Sequence, residues 1–189
     1  MDHPGRLAPG GLVFLGLVDQ EVPLVPPTIA TVAADYPPPV GEWARSVVET
    51  TAPDFVARAN EGWFALARDG GLFGDDREFL VAVEVEGEEE RNDWWWARVR
   101  LDAAWDVMGA GAASALGVGP GAPEFAMLSV SGDVIVCGTT GPTSIGTVLV
   151  TGFRELAELR EFAEWQADWS GTPQRERVTT RRWLNSSGD

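Results

Sequence analysis

Three groups of side chains have types and spacing that could do chemistry. Glu84 and Glu86 sit one residue apart in the alternating run Glu78–Glu86. On a strand they share a face and lie about 7 Å apart along it. That separation falls in the range used by inverting glycosidases, and nearby tryptophan rings could stack on a sugar. Alternating acids also occur on any solvated strand face, which is the plainer reading. The second group is Gly109-Ala110-Gly111-Ala112-Ala113-Ser114. It approximates a dinucleotide-binding fingerprint, with Ser114 where the last glycine belongs. No strand leads directly into it, so a flexible helix or loop is expected instead. The third is Cys137, followed by the polar segment 138–144. It has no histidine base and no lysine to lower its pKa, so a small buried apolar side chain is expected.

The rare residue types exclude more chemistry than the common ones suggest. All 14 basic residues are arginine, and there is no lysine. This removes Schiff-base catalysis, pyridoxal-phosphate attachment, Ser–Lys dyads and a P-loop lysine. The only histidine is His3, so a Ser-His-Asp or Cys-His site would have to recruit it. One cysteine permits no intramolecular disulfide and no cysteine-rich zinc site. Asp75-Asp76 and Glu88-Glu89-Glu90 lack the spaced oxygens and central glycine of an EF-hand. We therefore expect no metal, no cofactor and no catalytic residue.

Charge and aromatic content point toward recognition. There are 29 acidic residues, giving a net charge of −15. Such a surface repels nucleic-acid phosphates and anionic membranes, so neither is an expected partner. Residues 69–93 carry ten acids and two arginines, a net −8. This window either keeps the protein soluble or forms a docking surface for a basic partner. Nine tryptophans are present, three of them consecutive at Trp94-Trp95-Trp96. On a strand, Trp95 would enter the core while Trp94 and Trp96 flank Glu84 and Glu86. Either a helix covers that second face, or it is an exposed aromatic platform. The partner-binding set on the second reading is Glu84, Glu86, Glu88, Glu89, Glu90, Trp94, Trp96, Arg98 and Arg100, since tryptophan and arginine are enriched in interface hot spots.

The elements that must position these groups are legible in part. Eight of 13 prolines fall in the first 39 residues. Residues 1–40 are read as a Pro-rich extended arm with short strands at Leu12–Val18 and Thr28–Ala33. The apolar run 11–18 is too short to span a membrane and is flanked by acids, unlike a signal peptide. Pro37-Pro38-Pro39 is read as a stiff connector. Helices are expected at Gly41–Glu49 and at Pro53–Arg68, the second capped by Thr51 and ended by Gly70-Gly71. Glu78–Glu86 and Trp94–Leu101 read as a hairpin with residue numbers summing to 180, which pairs Val81 with Val99. A helix capped by Asp102 is expected over Asp102–Leu116. Strands follow at Phe125–Val130, Val134–Thr139 and Ser144–Thr151, then an amphipathic helix at Phe153–Trp169. Residues 171–189 read as an arginine-containing tail beyond a 41–170 core domain. The expected fold is α+β: an antiparallel sheet of five or more strands with helices packed on one face.

Small, acidic, Trp-rich and poor in catalytic residue types, the chain resembles bacterial immunity proteins in general character. Those proteins neutralise basic toxins through acidic surfaces with aromatic anchors. The resemblance implies a non-enzymatic protein-binding module, an immunity or inhibitor protein acting on a basic partner, and the lone cysteine agrees with the cytoplasm as the expected compartment. The alternative is a small-molecule binding protein or enzyme using carboxylates and arginines in a Trp-lined pocket. A third possibility is an assembly component whose Pro-rich arm swaps onto a neighbour.

Overall fold

The computed structural model describes residues 2–19, 21–86 and 92–186. Its centre is a seven-stranded antiparallel sheet. In chain order the strands are β1 (Leu12–Leu17), β2 (Trp43–Glu49), β3 (Glu78–Glu86), β4 (Asn92–Leu101), β7 (Phe125–Leu128), β8 (Val134–Thr140) and β9 (Ser144–Thr151). The short strands β5 (Gly117–Gly119) and β6 (Ala122–Pro123) form a separate two-stranded ribbon. Across the large sheet the order is β1-β4-β3-β7-β8-β9-β2. This is α+β, with β1 and β2 at the edges.

Helices cover both faces, not one. On the first face, α1 (His3–Leu7), α3 (Phe55–Asp69) and a π-helical turn at Val107–Gly111 meet the sheet over a core that includes Leu7, Trp63, Phe79, Val81, Val99 and Met108. On the second, α2 (Pro27–Ala33), α4 (Ala157–Asp168) and α5 (Gln174–Ser186) enclose Ile29, Leu80, Trp96, Ile135, Leu159 and Trp183. The central strands are therefore apolar on both sides; β8 is buried at five successive residues, Val134–Gly138. A strand so enclosed has no polar face, which is why simple alternation understates the number of layers.

The β3–β4 hairpin keeps the expected faces with a different register. Phe79 pairs with Val99, Val81 with Ala97 and Val83 with Trp95, so residue numbers sum to 178 rather than 180. A shift of two preserves side-chain parity. Val81 and Val99 are both fully buried on the first face. β4 begins at Asn92, two residues before the expected start at Trp94.

Several elements differ from expectation for identifiable reasons. Thr28–Ala33 is helical, not extended. Pro27 stands in the first turn of α2, where its missing N–H costs nothing and its φ suits the helix. Ile29, Ala30 and Ala33 then bury on one side. Gly41–Glu49 is not a helix; Trp43–Glu49 is edge strand β2, paired residue by residue with β9. Val47 and Val48 are β-branched and face opposite ways, Val47 to solvent and Val48 to the core. Gly62 allows α3 to lie directly on this strand, since an added Cβ there would clash with Ser46 Oγ. Residues 174–186 form α5, and Trp183 is 0% exposed in the second core. These residues are part of the packed structure, not a tail. Likewise the first 40 residues contribute β1 and α2 to the sheet and core in place of an extended arm.

The helix expected over Asp102–Leu116 is reduced to the five-residue π turn. Asp106, not Asp102, caps it, accepting from the Gly109 and Ala110 amides at 2.9 and 2.7 Å. Asn60 of α3 locks the cap: its Nδ2 donates to Asp106 Oδ1 at 2.7 Å, and its Oδ1 accepts from Met108 N at 2.9 Å. Two glycine-segment amides are thus already bound to a carboxylate, the opposite of a phosphate cradle. Asp54, not Thr51, stands at the start of α3.

Candidate functional site: a seam in the sheet

The sheet is incomplete between β3 and β7. Pro123 has no N–H to donate. The neighbouring Glu124 N–H donates to Leu116 O at 2.9 Å, and Thr140 Oγ1 donates to Pro123 O at 2.8 Å. These contacts tie the chain before Phe125 to β8 and to the residue that leads into β5 rather than to β3. The β3–β7 ladder consequently has two rungs, Leu80–Leu128 and Val81–Met127. The next three positions, Ala82–Ala126, Val83–Phe125 and Glu84–Glu124, do not pair. A cleft of about 520 Å³ opens there, with those six residues among its walls.

The two sides of this seam differ in chemistry. Val83 and Phe125 belong to the first core, and Leu7 and Ala115 join them at the cleft. That side is apolar. Its mouth is rimmed by His3 and Arg6 of α1. His3 stacks on Phe14 at 5.8 Å, and its pKa is held below the ordinary imidazole value by burial first and then by neighbouring positive charge, including Arg6. On the other side, Ala82 and Ala126 belong to the second core. Glu84 follows Ala82 in strand parity, exposed Glu124 stands just before β7, and Trp94, Thr28 and Thr31 also line the cleft. Glu84 and Trp94 are directly opposite each other in the β3–β4 register.

Behind Thr28 lies a half-buried carboxyl. Thr28 Oγ1 donates to Glu176 Oε1, and Gln166 Nε2 donates to the same oxygen at 3.0 Å. Burial raises the Glu176 pKa above the ordinary carboxyl value; these two hydrogen bonds oppose the rise and the charge of Asp93 adds to it. Next to it, the Arg175 guanidinium sits 3.4 Å from the centre of the Trp95 ring, a cation–π contact.

The structure separates the expected partner-binding set. Glu84 and Trp94 come together in the seam, with Trp94 43% exposed. Trp96 is only 6% exposed, and its indole N–H donates to Val25 O at 2.7 Å, so α2 and its lead-in segment cover it. Its ring belongs to the core and is not part of a surface platform. Glu86 is exposed and does not line the cleft, so it does not form a catalytic pair with Glu84 across one cavity. Glu88, Glu89 and Glu90 lie outside the described residues. Arg98 pairs with Glu78 at 2.6 Å near the far end of β3, and Arg100 is exposed beyond it. Arg98 is four residues from Trp94, about 13 Å along the strand.

Other features were missed or bear little chemistry. His3, Arg6, Thr28, Thr31 and Glu124 carry no local motif, and only the topology brings them to one cleft. Trp165 and Trp169 form an exposed stacked pair on α4, 5.4 Å apart, with Phe162 beside Trp165. Cys137 is buried as expected, and burial first, then Asp35, pushes its thiol up to about 12. Among the described residues, no group of three or more His, Cys, Asp or Glu side chains could hold a metal. No helix among them is long and apolar enough to cross a membrane. No family model, curated protein or solved structure matches the chain.

Proposed function

We propose that this chain is a binding module for a basic protein partner, gripped at the seam between β3 and β7. The observation that carries the reading is the interrupted ladder. Three successive strand positions inside a sheet lack their partners, and the acids Glu84 and Glu124 stand on either side of the gap. A strand edge that opens to a cleft is a template for an occupant that supplies main-chain hydrogen bonds. The net charge of −15 favours a basic one. An inhibitor or immunity protein that neutralises a basic enzyme is the class of protein this profile suits.

A substitution that fills the seam tests the reading. Thr31 is exposed and lines the cleft from α2. Thr31→Trp should block the opening without disturbing either core. Extracts of the source organism are passed over wild type and this variant as baits. A basic protein retained by wild type, released by salt and absent from the variant is the expected result. Identical sets on both baits would refute the seam as the site.

The second reading is a small cationic molecule in the same cleft. Its volume of about 520 Å³ favours this, being ordinary for small-molecule sites with mostly apolar walls and a few polar groups.

A further inference from the structure

We propose that the partner binds the seam as an extended strand whose side chains alternate between apolar and basic, completing the ladder that β3 and β7 leave open. This rests on the reading of the seam as the partner site and adds the form of the occupant. β3 runs to Glu86, but β7 accompanies it only at Leu80 and Val81. Five residues of β3, Ala82–Glu86, therefore extend past the ladder, and the alternate positions whose main-chain groups do not serve β4 form a strand edge that meets the cleft at Ala82–Glu84. A strand edge is the ready-made template for another strand, and strand addition is an established mode of peptide recognition. Main-chain hydrogen bonds supply affinity, and side-chain pockets on the two faces supply specificity.

The pattern of the occupant follows from the two walls. Successive side chains of a strand point to opposite faces. Those directed to the first side meet Val83, Phe125, Leu7 and Ala115 and must be apolar. Arg6 at that mouth disfavours a positive charge there. Those directed to the second side meet Glu84, Glu124 and Trp94, which favour an arginine or lysine by charge and by cation–π contact. Thr28 and Thr31 add hydroxyls on the same side. A slip of one residue would place basic side chains against the apolar wall, so the alternation selects a single parity.

Three capped peptides of equal composition test this, with affinity measured by calorimetry. They are Val-Arg-Val-Arg-Val, the scrambled Val-Val-Val-Arg-Arg, and the alternating peptide N-methylated at its central valine. The alternating peptide should bind at least roughly tenfold tighter than either control, because scrambling breaks the face pattern and methylation removes a ladder donor. Thr31→Trp should abolish this difference, and Glu84→Gln or Glu124→Gln should reduce affinity roughly tenfold each. Equal binding of all three peptides, still lost in Thr31→Trp, would overturn the strand proposal while the basic-partner reading stands. Binding of all three unchanged in Thr31→Trp would place basic peptides elsewhere and overturn both. Failure of all three to bind at millimolar concentration would also overturn both, and binding of tryptamine alone would assign the cleft to small molecules.

Discussion

Two tryptophans of one run, next but one to each other, have opposite fates. Trp94 and Trp96 share a face of β4, yet one borders an open cleft and the other is sealed under the segment leading into α2. Trp96→Phe removes the indole N–H and leaves Val25 O without that donor, at a cost of about 1–3 kcal/mol in urea unfolding. Trp94→Ala should change stability by less than about 0.5 kcal/mol but weaken partner binding. If the two substitutions cost the same stability, the assignment of one ring to the core and the other to the site is wrong. Glu176 gives a prediction with a definite sign. Its folded pKa is raised, so its protonated form favours the fold. That contribution is fully present below the unfolded carboxyl pKa and is lost as pH rises through the folded value. Glu176→Gln keeps an oxygen that can accept from Thr28 and Gln166 without carrying a charge. It should be more stable than wild type at neutral pH, with the advantage disappearing in acid. A variant less stable than wild type at pH 7 would contradict the burial argument.

Elements were legible where local pattern and tertiary setting agree, and misread where a boundary residue overrode the pattern. The β3–β4 hairpin, β9 and α3 follow directly from alternation or helical spacing. Thr28-Ile29-Ala30-Thr31-Val32 has the β-branched content of a strand, but Pro26-Pro27 ahead of it begins a helix, and Ile29 and Ala30 need that helix to enter the core. Residues 174–186 are rich in arginine and polar residues, so their composition suggests a solvated tail. One fully buried tryptophan and a neighbouring helix are enough to dock them. Trp183→Ala should cost about 3–5 kcal/mol, and deletion of residues 174–186 should lower the melting temperature sharply. A deletion that melts like wild type would show that α5 is dispensable. The seam itself was not legible at this scale. It depends on Pro123, on where Glu124 N–H goes and on which strands are neighbours, and none of these relations is local.

At the scale of the whole molecule, the sequence indicated α+β, but it could not indicate two helical layers. Both layers rest on strands that are apolar on each side, and which strands are central is a matter of topology. The charge of −15 acts over the entire surface and should govern encounter with a basic partner. Raising ionic strength from about 50 mM to about 500 mM should slow association by roughly tenfold or more and change dissociation much less. Salt-independent association would argue against charge steering. The seam is the central claim, and hydrogen exchange tests it most directly. Exchange is followed on wild type with and without the peptide Val-Arg-Val-Arg-Val. The account predicts new protection confined to the seam, at those amides of residues 82–86 and 125–126 that do not already bond β4 or β8. Protection appearing at Arg98–Arg100 or on α4 around Trp165 and Trp169, with none in the seam, would contradict it.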